Sequence, residues 1–157
     1  MNLTPEQDKL LDEAVKAFAE MGTIREARGI TDEEMEAIYA MGVNFYKAGS
    51  YDNAEKVFRC LVLFDHSNAR DWAGFGALMQ ARRKFDEAIK AYQYGMFLDI
   101  ENPRCVYYLA ECFLAKGEKD LCLETLRTLE AHCPKTTDTG RKFLVKGAKL
   151  KALAEAK

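Results

Sequence analysis

Two histidines, His66 and His132, and five cysteines, Cys60, Cys105, Cys112, Cys122 and Cys133, are the side chains able to serve as bases, nucleophiles or soft metal ligands. Their spacing argues against each role. The histidines fall in separate stretches, and neither has a carboxylate and a nucleophile placed around it as a catalytic site needs. Cys60 and His66, within "CLVLFDH", suggest a pair of ligands at most, and nothing nearby completes a metal set. No two cysteines form a Cys-x-x-Cys pair, and their odd number leaves no complete disulfide framework. They read as reduced thiols packed as small hydrophobes. The chain is therefore expected to be no enzyme, with no metal and no cofactor.

The tyrosines carry a different chemistry. Tyr39, Val43 and Tyr46 recur at i, i+4 and i+7, one face of a helix. The residues 34 positions on are Ala73, Ala77 and Gln80, and 34 further Tyr107, Glu111 and Leu114. Small alanines between aromatic rings leave pockets, and such pockets take side chains of extended peptides. Tyrosine suits this task because it offers a large contact area, a polar tip and few rotamers to freeze. The candidate peptide-binding set is Tyr39, Val43, Tyr46, Ala73, Ala77, Tyr107 and Glu111, together with Tyr51. Tyr51 follows the first turn, and either fills the usual aromatic place there or closes one end of a groove. Phe58, Trp72 and Tyr92 read as core. A clamp for a C-terminal carboxylate needs Lys and Asn on the inner face. Those places hold Tyr39, Val43, Gly74 and Tyr108, and only Arg104 is cationic, so a buried anion would lack donors.

The elements that position these residues follow from one internal period. Gly42, Gly76 and Ala110 are spaced by 34 residues, as are Ala54, Ala88 and Cys122, and Phe58, Tyr92 and Leu126. Ile38, Trp72 and Val106 follow the same step, as do Gly49, Arg83 and Gly117. A 34-residue period with small residues facing aromatics is that of tetratricopeptide repeats, each a pair of antiparallel helices. The expected fold is all-α: a superhelix of three such helix-turn-helix repeats with flanking helices at both ends. The small residues let paired helices approach. Glycine within a helix costs about 1 kcal/mol relative to alanine, so close packing must return more than that at Gly76. Gly49 and Gly117 suit the turns because they accept positive φ. Arg83 is expected to turn by other means.

Three segments result. Residues 1–30 are an acidic helical segment: Thr4 caps, Pro5 opens, and Leu10, Leu11, Ala14, Val15 and Phe18 form an apolar stripe. "GTIREARGI" reads as a break. Residues 31–134 hold the repeats, opened by Thr31 with Glu34 three places on, a capping box. Residues 135–157 form a basic helix. Residues 1–36 carry a net charge of −6 and residues 135–157 of +5, within an overall −2; opposite ends of this kind favour solubility and can attract. No apolar run is long enough to span a bilayer, and the acidic first residues do not read as a secretory signal. "ARRK" at residues 81–84 is a short basic turn, which argues against nucleic-acid binding.

The stretches "YKAGSYDNAEKVFRCLVLFDH", "AYQYGMFLDIENPR" and "YYLAECFLAKGE" resemble the class II chaperones of bacterial type III secretion, over about residues 10–135. The resemblance implies a cytoplasmic bacterial protein that holds translocator proteins by a short extended segment near their N-termini, similar to Pro-x-Leu-x-x-Pro, in its concave groove. Tyr39, Tyr46 and Tyr51 match family positions associated with that groove. It also implies a homodimer through the N-terminal helix; the stripe from Leu10 to Phe18 fits that, or a fold back onto the chain's own repeats. No function carries over to the C-terminal helix, whose composition departs from the family. Two other readings stand beside this one, a general interaction scaffold and a chaperone of a needle subunit.

Overall fold

The protein is described by a computed structural model that covers Lys9 and residues 22–156. The apolar stripe Leu10, Leu11, Ala14, Val15 and Phe18 lies outside the described residues. Among the described residues the chain forms eight helices and no strand: α1 (Ile24–Arg28), α2 (Asp32–Lys47), α3 (Tyr51–Phe64), α4 (Ala69–Ala81), α5 (Phe85–Leu98), α6 (Pro103–Ala115), α7 (Lys119–His132) and α8 (Asp138–Glu155). Helices α2 and α3, α4 and α5, and α6 and α7 pair as hairpins; α3 meets α4, α5 meets α6, and α8 packs on both α6 and α7. This is the all-α repeat stack that the 34-residue period predicts.

Local chemistry sets the helix ends. Thr31 and Glu34 make the expected capping box: the Glu34 amide donates to Thr31 Oγ1 (3.2 Å) and the Thr31 amide to Glu34 Oε2 (2.9 Å). A second box, Thr23 with Glu26, starts α1 inside "GTIREARGI", and Gly29 stops it at φ +64°. The expected break is thus a short helix, because both of its ends are chemically specified. Asn68 and Asn102, one period apart, cap α4 and α6 by accepting from the Arg70 and Arg104 amides.

The three turns within repeats share one geometry. Gly49, Arg83 and Gly117 all have positive φ, at +73°, +60° and +81°. In each, the left-handed residue donates to the carbonyl three back and its successor to the carbonyl five back: Gly49 to Tyr46 and Ser50 to Phe45, Arg83 to Gln80 and Lys84 to Met79, Gly117 to Leu114 and Glu118 to Phe113. This is the Schellman closure. Arg83 does not turn by other chemistry, as the sequence suggests; it takes the left-handed conformation itself, because the same two hydrogen bonds close the helix.

The periodic small and large residues form the core. Ala54, Ala88 and Cys122 are fully buried, and Phe58, Tyr92 and Leu126 nearly so. A methyl group at Gly76 would stand 2.7 Å from Tyr92 Cε1, so α4 and α5 meet too closely for any side chain there. Trp72 departs from expectation. It is half-buried, with its indole Nε1 donating to the His66 carbonyl (2.8 Å) and its ring 4.6 Å from that of Tyr94. Helix α8 closes the stack with Phe143, Gly147, Leu150 and Ala154, all buried on one face.

Candidate peptide-binding groove

A groove of about 700 Å3 runs across α2, α4 and α6. Tyr39 and Tyr46 form one wall. Ala73, Gly74 and Ala77 form the floor, and Tyr108 with Arg104 the opposite side. The inner face of each repeat's first helix supplies these residues, as helical spacing requires. Gly74 contributes bare backbone, since a Cβ there would stand only 2.5 Å from Phe58 Cε1. The rings are held in place. Tyr39 meets buried Phe58 edge to face at 5.7 Å, and Tyr108 stacks on Tyr92 at 6.0 Å. Preset aromatic walls beside shallow alanine dips lower the ordering cost of binding.

The sequence-predicted residues separate into three groups. Tyr39, Tyr46, Ala73 and Ala77 come together on the groove wall and floor. Val43 and Tyr51 stand behind them: Val43 is half-buried against the core, and the Tyr51 ring packs 5.9 Å from that of Tyr46. Tyr107 is not a groove residue. It is 7% exposed, and Phe143 of α8 packs against it at 5.4 Å. The repeat period alone does not anticipate this, because α8 covers the third repeat where an open surface is expected. Tyr108 reaches the groove instead. Glu111 faces inward too: its Oε1 accepts from the Tyr107 hydroxyl (2.6 Å) and its Oε2 from Gln80 Nε2 (3.1 Å). Gln80 Oε1 in turn accepts from the Tyr92 hydroxyl (2.9 Å), so Glu111 anchors the groove-lining amide rather than lining the groove itself.

A tetratricopeptide repeat family model matches residues 104–136. The low calcium response locus protein H of Yersinia pestis is 41% identical over 97 residues, 62% of this chain and 58% of that protein, so the match spans under two thirds of that relative's length. The structure of the Yersinia enterocolitica type III secretion translocator chaperone SycD aligns with a TM-score of 0.78 at 31% identity, covering 85% of this chain and 98% of that one. The chain belongs to the type III secretion translocator chaperone family. Two further SycD structures, one in complex with a peptide of the translocator YopD and one of an alternative dimer, each align with a TM-score of 0.73 at 30% identity, over 80% of this chain and 95% of that one.

In this translocator-chaperone family member the groove holds two arginines, where the sequence draws attention only to Arg104. Arg70 was legible by its register: it stands one period before Arg104 and one after Glu36. It pairs with Glu36 through two hydrogen bonds (2.5 and 3.0 Å), and its guanidinium carbon lies 3.8 Å from the Tyr39 ring centroid. Hydrogen bonding to Arg70 holds the Glu36 carboxyl below the usual range. Burial pushes the Tyr92 hydroxyl well above its ordinary pKa, and burial with the Glu111 contact does the same for Tyr107, so both stay protonated donors. The thiols of Cys105 and Cys112 are pushed up to about 12 by burial, which removes thiolate reactivity. Among the described residues no group of three or more His, Cys, Asp or Glu is placed to hold a metal, and no helix is long and apolar enough to cross a membrane.

Proposed function

We propose that this chain is a bacterial cytoplasmic chaperone that binds translocator proteins of type III secretion by an extended segment laid in the α2–α4–α6 groove. The segment has the character of Pro-x-Leu-x-x-Pro, with its apolar side chains in the dips between Tyr39, Tyr46, Ala73, Ala77 and Tyr108. The observation that carries the reading is this row of fixed rings beside alanine and glycine. The complex of SycD with a YopD peptide supports it. The chaperone acts by binding and not by catalysis, and keeps pore-forming clients soluble until export.

Burying three peptide side chains contributes about 1.5–3 kcal/mol each, against about 2–5 kcal/mol for ordering the segment. The net is about 0–7 kcal/mol, which approaches the micromolar range only at its upper end, so further contacts with the client are expected; such modest affinity suits release at the secretion machine. Two chains pair through the N-terminal segment bearing Leu10, Leu11, Ala14, Val15 and Phe18. The segments 1–30, 31–134 and 135–157 serve dimerisation, client binding and closure of the repeat stack. Coexpression of the double variant Tyr39→Glu/Tyr46→Glu with a translocator tests the groove. The complex is expected to be lost while circular dichroism stays helical; undiminished copurification with a folded variant overturns the proposal.

A further inference from the structure

Arg70 and Arg104 are each the second residue of their helix, in successive repeats. The residue one period before Arg70 is Glu36, and the two form a bidentate ion pair from repeat to repeat. The residue one period before Arg104 is Arg70. The same hand-over therefore meets a cation where it needs an acid. Arg104 is exposed, lines the groove beside Asn102 and Tyr108, and makes no ion pair with any described residue. Glu111, the acid on the inner face of α6, is already engaged by Tyr107 and Gln80. Among the described residues, the α6 end of the trough thus carries a positive charge with no acidic partner, next to apolar pockets.

We propose that Arg104 is an anion subsite of the groove, which takes a Glu or Asp side chain of the client segment as Arg70 takes Glu36. This rests on the groove reading above and adds a selection rule to it: clients carry a carboxylate in register with the apolar residues that fill the pockets. A guanidinium suits this role because its planar fork pairs both carboxylate oxygens. The N-terminal turn of α6 adds a favourable dipole. The occupant is an internal side chain. A chain terminus needs several donors at once, and at this end of the groove Arg104 is the one cationic donor among the lining residues; Asn102, whose Oδ1 accepts from the Arg104 amide (3.1 Å), adds only its side-chain NH2.

The test is fluorescence anisotropy with labelled, C-terminally amidated Pro-x-Leu-x-x-Pro peptides carrying Glu, Gln or Lys at each free position in turn. In at least one register the Glu peptide is expected to bind the wild-type protein about five- to tenfold more tightly than its Gln counterpart. The preference disappears in Arg104→Ala, turns to Lys over Glu in Arg104→Glu, and shrinks with added salt. Arg104 is a surface residue, so both variants keep the wild-type thermal melt. Equal binding of Glu and Gln peptides in every register, or a Glu preference that survives Arg104→Ala, overturns the subsite and leaves the groove standing. A preference that follows the free terminal carboxylate over the amide overturns it as well. Failure of every peptide to bind the wild-type protein removes the groove reading and the subsite with it.

Discussion

Gly74 and Phe58 touch across the boundary between the first two repeats: a methyl group at residue 74 would stand 2.5 Å from Phe58 Cε1. Two positions on, Gly76 makes the corresponding approach to Tyr92 within the second repeat. Helix α4 is thus pressed on both sides by buried rings, and each glycine answers one of them.

Alanine at either position is expected to destabilise the protein. Better helix propensity contributes about 1 kcal/mol, and overpacking against a ring that cannot swing costs about 1–3 kcal/mol. Phe58 and Tyr92 are 3% and 0% exposed, so neither has room to move. Urea denaturation should show a net loss of about 0–2 kcal/mol for Gly76→Ala; a gain would mean that the α4–α5 contact is softer than its distances imply.

Arg83 holds a left-handed conformation that glycine holds at the two equivalent turns. Arg83→Gly is expected to raise stability by roughly 0.5–1 kcal/mol, the relief of side-chain strain less the added chain entropy. Gly117→Ala should lower it by a similar amount. Thermal melts of the two variants check the pair.

Asp71 is 3% exposed, and its Oδ2 has no hydrogen-bond partner. Burial first, and then the Asp65 charge, push its carboxyl up to about 6; Glu36 adds to this, while Arg70 and Arg25 oppose it. The folded pKa lies above the unfolded value of about 3.9, so between the two the native state binds more protons. Stability therefore falls as pH rises through that window. Asp71→Asn is expected to exceed the wild type by on the order of 1–3 kcal/mol near pH 7.5 and to match it below about pH 4. Urea denaturation across that range reads the difference directly.

Tyr107 and Tyr108 are neighbours with opposite tasks. Tyr107→Ala should cost about 3 kcal/mol of stability, as expected for emptying a buried aromatic site. Tyr108→Ala should cost less stability and weaken client-peptide binding several-fold. Parallel urea curves and peptide titrations separate the two outcomes.

Much of the fold was legible because the repeat writes the same packing problem three times. The triplets Gly42/Gly76/Ala110 and Phe58/Tyr92/Leu126 identify facing surfaces without coordinates. The groove was legible where its chemistry is periodic, at Tyr39, Tyr46, Ala73 and Ala77. It was misread at Tyr107, where a helix outside the period, α8, covers the face. Arg83 was misread because residue type suggested a different turn, whereas the hydrogen bonds of neighbouring residues impose the same one.

From sequence alone came the repeat length, the helix pairs and the small-against-large contacts, since these depend on spacing within one helix or one period; the family resemblance came from the residues of particular stretches such as "YYLAECFLAKGE". Only the tertiary structure decided which of two adjacent tyrosines faces the trough, that Arg70 pairs with Glu36, and that Arg104 has no acidic partner among the described residues. Those outcomes depend on what packs over a helix from elsewhere in the chain. A local pattern does not encode that, because exposure and charge pairing belong to surfaces that exist only once the helices have stacked.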